Sequence, residues 1–102
     1  NVEEIQNEKE DRDVKAWEIM GGAVLACMEK ENRMTTSALA RALEPAGVKV
    51  GKMNWRTIER YLHDHLVVPR RVGAWQVKYV KETRGNGRHW IEKEEIESWT
   101  EN

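Results

Sequence analysis

Apolar residues recur at helical spacing in three stretches of this chain. From Val14 to about Lys30, the residues Val14, Trp17, Gly21, Val24, Leu25 and Met28 form an i, i+3, i+4, i+7 stripe, which predicts a helix that Asp13 can cap. Ile19, Met20, Ala23, Ala26 and Cys27 lie around that stripe, with Glu18 the only charge between Trp17 and Met28. A helix apolar on most sides has to be covered on more than one face, so it is expected either to be central to the domain or to pair with a second copy in a homodimer. The Gly21-Gly22 pair costs ~1 kcal/mol per residue relative to alanine and signals a close approach or a kink. A second helix starts at Thr35 or Thr36 and shows a narrow seam of Ala38, Leu39, Ala42 and Leu43, with Pro45 and Gly47 expected to stop it. The third runs from Asn54, a good N-cap, to about His65, and buries Trp55, Ile58, Leu62 and Leu66. Between the last two, Val48 to Gly51 is expected to form a loop or a short turn.

After Leu66 the period changes. Val67-Val68-Pro69 turns the chain, and a strand can begin at Arg70-Arg71. Trp75 to Thr83 then alternates, with Trp75, Val77 and Tyr79 on one face. Arg84-Gly85-Asn86-Gly87 is a hairpin signal, because Asn-Gly supplies the positive φ values of a tight turn, and Arg88 to Glu92 is the return strand. Lys93 to Trp99 predicts an acidic helical turn packing back through Ile96 and Trp99. At the other end, Asn1 to Asp13 is nearly all polar and is expected to be a frayed helical extension or disordered. The reading is therefore one domain, residues 14–92, between a polar acidic tail (1–13) and an acidic C-terminal turn (93–102). The chain begins at Asn1 rather than Met, as expected of a fragment or of a processed form.

The net charge of -1 hides a strong segregation. Residues 1–32 carry nine acidic and four basic side chains, residues 33–91 twelve basic and four acidic, and residues 92–102 five acidic and one basic. A basic middle between acidic ends predicts a polyanion-binding surface. No apolar run approaches the ~20 residues of a membrane span, and the sequence suits a cytoplasmic protein, nucleoid-associated if prokaryotic.

The polar side of the third helix carries Lys52, Arg56, Thr57, Arg60 and His63, long or hydrogen-bonding side chains able to reach a nucleic acid groove. The order of helix, short helix, turn, basic helix and basic-tipped hairpin resembles the winged helix-turn-helix superfamily of DNA-binding domains. Thr35 to Leu43 is similar to that superfamily's capped second helix, and Asn54 to Leu62 to its recognition helix. The resemblance implies a mainly α fold, a three-helix bundle plus a two-stranded wing, that binds double-stranded DNA without a cofactor. It implies that Arg56, Thr57 and Arg60 face bases, and that Arg84, Asn86 and Arg88 in the wing touch phosphates or the minor groove. Lys52, Asn54, Arg70 and Arg71 complete the expected interface. The long connection from Glu44 to Met53 and the acidic ends depart from the pattern. The expected role is a transcriptional regulator, or the DNA-binding module of a replication or mobile-element protein. The competing readings are an interaction module for an acidic protein partner and a binder of RNA or single strands.

Catalytic chemistry has little to stand on. Cys27, the only cysteine, sits in an apolar run and reads as core. His63 and His65 fall on different helix faces and His89 is remote in sequence, so they make a poor metal site. No phosphate loop, nucleophile elbow or pair of catalytic carboxylates in an apolar setting is present, and the tryptophans sit at positions that suit packing.

Overall fold

A computed structural model describes residues 2–85 and 87–96, with side chains described from Asp13 onward. The elements follow as α1 (Val2–Cys27), β1 (Arg33–Thr35), α2 (Thr36–Ala42), α3 (Glu44–Gly51), α4 (Trp55–Leu66), β2 (Arg70–Val72), β3 (Trp75–Lys81) and β4 (His89–Glu95). The four strands form one antiparallel sheet in the order β1-β4-β3-β2. The fold is thus mixed α/β, four helices on a four-stranded sheet among the described residues, rather than three helices and a two-stranded wing. No helix among them is long and apolar enough to cross a membrane.

The core forms where the helical stripes meet the inner face of the sheet. Met20, Val24 and Met28 of α1 and its continuation, Leu39, Ala40 and Leu43 at α2, and Ile58, Leu62 and Leu66 of α4 close over Val77 and Ile91. In α2 the buried seam is Thr36, Leu39 and Ala40, while Ala38 and Ala42 are exposed. The buried face is shifted slightly from the expected one, and Leu43, the C-cap in αR conformation, completes it.

Several local expectations are corrected. Pro45 opens a helix instead of closing one: it occupies the first turn of α3, where a missing N–H costs nothing, and Leu43 joins α2 to α3. Asp13 is not a cap, because α1 runs through it from Val2, with no glycine or proline in between to break the ladder. Part of the second apolar side of α1 is met within the chain, where α3 lies against the helix and Ala23, Leu25 and Cys27 are half-buried against the core, while Val14, Ile19 and Ala26 stay exposed. Burial pushes the Cys27 thiol up from its ordinary value, as for a packing residue. Gly21 faces the Val72 side chain of β2, so its close approach is to a strand, while Gly22 faces open space. Lys93 to Glu95 continue β4, with Val77 opposite Lys93 and Trp75 opposite Glu95, in place of a helical turn. Residues 97–102, including Trp99, lie outside the described residues.

The connection between β3 and β4 is wider than a two-residue turn. The Glu82 amide donates to the Arg88 carbonyl at 2.8 Å, and the Gly87 amide to the Arg84 carbonyl at 3.4 Å. Positive φ falls on Gly85 (65°) and Gly87 (63°), so both glycines serve the reversal, and Asn86 lies outside the described residues.

One close approach seats α3 on α4. A Cβ on Gly47 would stand 2.6 Å from Ile58 Cδ1 and 2.7 Å from the Met53 carbonyl oxygen. The second of these neighbours is backbone and cannot rotate away. Gly47→Ala is therefore expected to destabilise the fold by about 1–3 kcal/mol, measured by urea denaturation, whereas Gly22→Ala is expected to be neutral or stabilising.

Candidate nucleic-acid interface

The side chains of interest are positioned by α4. Asn54 is its N-cap in extended conformation, its side-chain oxygen accepting the Thr57 amide at 2.9 Å. The Trp55 amide donates to a Glu44 carboxylate oxygen at 3.3 Å. With Ile58, Leu62 and Leu66 buried, the 100° step of the helix turns Arg56, Thr57, Arg60 and His63 outward, and all four are exposed. Trp55 is half-buried, with the Arg41 and Arg56 guanidinium groups 4.4 and 5.4 Å from its ring centroid.

An open groove of about 350 Å³ runs between α4, the start of α2 and the β3–β4 hairpin, lined by Thr36, Glu59, Arg60, His63, Tyr79 and His89. A smaller depression adjoins it, lined by Thr35, Thr36, Ser37, Glu59, Arg88 and His89. The hairpin reaches this groove because alternation along β3 puts Tyr79 on the same side as Val77, and pairing sets His89 opposite Lys81 on that side near the tip. The His63 and Tyr79 rings stand near-perpendicular with centroids 4.7 Å apart, and the Tyr79 hydroxyl contacts His89 Nδ1. Burial raises the Tyr79 pKa, so its phenol stays protonated and able to donate. Thr36 donates to Glu59 Oε2 at 3.4 Å, which ties the one lining carboxylate among the described residues to α2.

The expected contact residues divide into groups. Arg60 and Arg88 line the groove or its adjoining depression, while Arg56 and Thr57 lie on the same exposed side of α4. Arg84 is exposed at the hairpin tip, and Asn86 lies outside the described residues. Lys52 and Asn54 line a second open hollow of about 540 Å³ with Arg41, Glu44, Pro45, Val48 and Met53, at the N-terminal end of α4. Lys52 is the only non-glycine residue with positive φ among the described residues, at 56°. Asn54 spends its side-chain oxygen on the cap.

Arg70 and Arg71 are not brought into the groove. Arg70 pairs with Val77, four residues along β3 from Lys81. Its Nε donates to the His65 carbonyl at 2.8 Å, and its guanidinium lies 5.3 Å from the Trp17 ring centroid. There it closes a stack in which Trp17, His65 and Tyr61 join α1 to the end of α4. Burial is the main cause of a raised Tyr61 pKa, with Arg70 lowering it and Asp13 raising it. Arg71 Nε donates to the Gly73 carbonyl at 3.1 Å. Arg33 likewise leaves the basic surface: it pairs with Glu92 at 3.1 Å and Glu82 at 3.6 Å, and lies 4.0 Å from the Trp90 ring centroid. Lys93 is buried, 8% exposed, with its Nζ 4.2 Å from the Trp75 ring centroid.

Thr36, Tyr79 and His89 are groove residues that sequence reasoning did not single out. The signals were faint: Tyr79 shares the Val77 face, and His89 follows Arg88 at the start of the return strand. No group of three or more histidine, cysteine or acidic side chains among the described residues is arranged to hold a metal ion. No family model, curated protein or solved structure matches the chain.

Two substitutions separate cap from contact. Asn54→Ala is expected to cost about 1 kcal/mol in urea denaturation, with Asn54→Asp close to wild type. Lys52→Gly relieves left-handed strain and is expected to leave stability unchanged or up to about 1 kcal/mol higher.

Proposed function

We propose that the chain is a sequence-specific double-stranded DNA-binding module of winged-helix type, with α4 as the recognition helix and the β3–β4 hairpin as the wing. The observation that carries the reading is the shared groove, in which Arg60 and His63 of α4 lie with His89 of the hairpin, while Arg88 lines the depression beside it. Arg56, Arg60, Arg84 and Arg88 are in no ion pair among the described residues, so their guanidinium groups are available to an external anion. The order of elements supports it too, since β1 precedes α2 and closes the sheet beside the hairpin.

In this reading α4 enters the major groove, where an arginine can give two donors to guanine O6 and N7. The hairpin and Lys52 lie along the backbone and add affinity with little sequence information. The parent activity is that of a transcriptional regulator, or of the DNA-binding part of a replication or mobile-element protein. In a dimeric form, Val14 and Ile19 of α1, 56% and 47% exposed, are the apolar side chains left for a second copy.

Selection from a random duplex pool followed by fluorescence-anisotropy titration tests the reading. Arg56→Ala and Arg60→Ala are each expected to lose about 1–3 kcal/mol of discrimination between selected and scrambled duplexes. Arg84→Ala, Arg88→Ala and Lys52→Gly are expected to weaken both duplexes alike, each making the slope of log K against log salt shallower by about 0.9. Absence of duplex binding at low salt overturns the reading in favour of an acidic protein partner, and preference for single strands overturns it in favour of stacking on exposed rings.

A further inference from the structure

The groove holds more titratable chemistry than a phosphate-contacting surface requires. Asp64, His63, Tyr79 and His89 form a continuous chain of contacts from α4 to both hairpin strands: Asp64 Oδ1 to His63 Nδ1 at 3.0 Å, the His63 and Tyr79 rings near-perpendicular with centroids 4.7 Å apart, and Tyr79 hydroxyl to His89 Nδ1. The fixed charges around it nearly balance. Arg60 on α4, Arg88 on the hairpin and Lys81 opposite His89 are cationic, while Glu59 on the groove floor and Asp64 beside His63 are anionic. From the end of β1 and the start of α2, the lining side chains among the described residues are the neutral hydroxyls of Thr35, Thr36 and Ser37. The two imidazoles are therefore the groups whose charge decides how strongly the groove attracts an anion, and histidine is the side chain that changes charge between pH 5 and 8.

We propose that His63 and His89, bridged by Tyr79, form a clamp for a backbone phosphate of duplex DNA between α4 and the hairpin, and that the clamp tightens as the imidazoles take up protons. This rests on the DNA-binding reading and deepens it. When neutral, His89 Nδ1 accepts the Tyr79 hydroxyl proton. When protonated, it donates to the Tyr79 oxygen instead, so the bridge survives while the ring gains a charge and keeps an Nε2–H donor. His63 in its charged form is balanced on one side by Asp64 and retains Nε2–H for the phosphate. His65 lies outside the clamp, stacked on Tyr61 with its Nδ1 at the Tyr61 carbonyl.

The experiment is a titration of the full chain with a selected duplex at constant ionic strength between pH 8 and 5.5, with the fold checked at each pH by circular dichroism. Affinity is expected to rise on acidification by up to about eightfold at 0.1 M salt for each imidazole charged, and the salt slope to steepen by up to about 0.9 per imidazole. His63→Gln and His89→Gln are each expected to remove part of the pH dependence and the double variant nearly all of it, while His65→Gln keeps it. Duplex binding that is independent of pH, or that keeps its pH dependence in the double variant, overturns the clamp and leaves the DNA-binding reading standing. No duplex binding at any pH overturns both.

Discussion

The seating of α4 is the constraint from which everything else follows. Ile58, Leu62 and Leu66 are fully buried, each contributing about 1.5–3 kcal/mol of apolar transfer, in a fold whose whole stability is of order 5–15 kcal/mol. Turning the helix by one residue would expose those side chains and drive Glu59 and His63 into the core without partners. The direction in which Arg56, Thr57, Arg60 and His63 point is thus set by the hydrophobic effect acting on the opposite face. Gly47 is part of the same constraint, since only a residue without a side chain lets α3 come close enough to leave Ile58 in place.

Charge is then sorted by the sheet. Val77 and Ile91 face the core, so alternation sends Lys78, Glu92 and Glu94 to the other side, where Arg33 pairs with Glu92 and Glu82. Glu92 and Glu94 are in this way held on the face of the sheet turned away from the helices. The same folding engages three cations within the chain: exposed Arg33 in ion pairs, exposed Arg70 with a helix end and a tryptophan, and buried Lys93 with Trp75. Of the exposed cations, Arg56 and Arg60 lie on α4 and Lys81, Arg84 and Arg88 at the hairpin end, while Arg41, Lys49 and Lys52 lie around α3.

What the sequence determined by itself was whatever a single element decides locally. The limits and cap of α4, its apolar and basic faces, the Thr35 cap of α2 and the β3–β4 hairpin all follow from spacing and from side chains close in the chain. What only the tertiary structure decided depends on partners distant in sequence. Three residues with no readable alternation become β1 because Arg33, Met34 and Thr35 find Glu92, Ile91 and Trp90. An acidic stretch extends β4 because β3 continues beside it to Trp75. Proline at 45 could end one helix or begin another, and the close fit of Gly47 against Ile58 and Met53 accompanies the second outcome. The groove is the strongest case: Thr36, His63, Tyr79 and His89 belong to four elements, and no periodicity in the chain reports that packing α4 against β3 will bring them together.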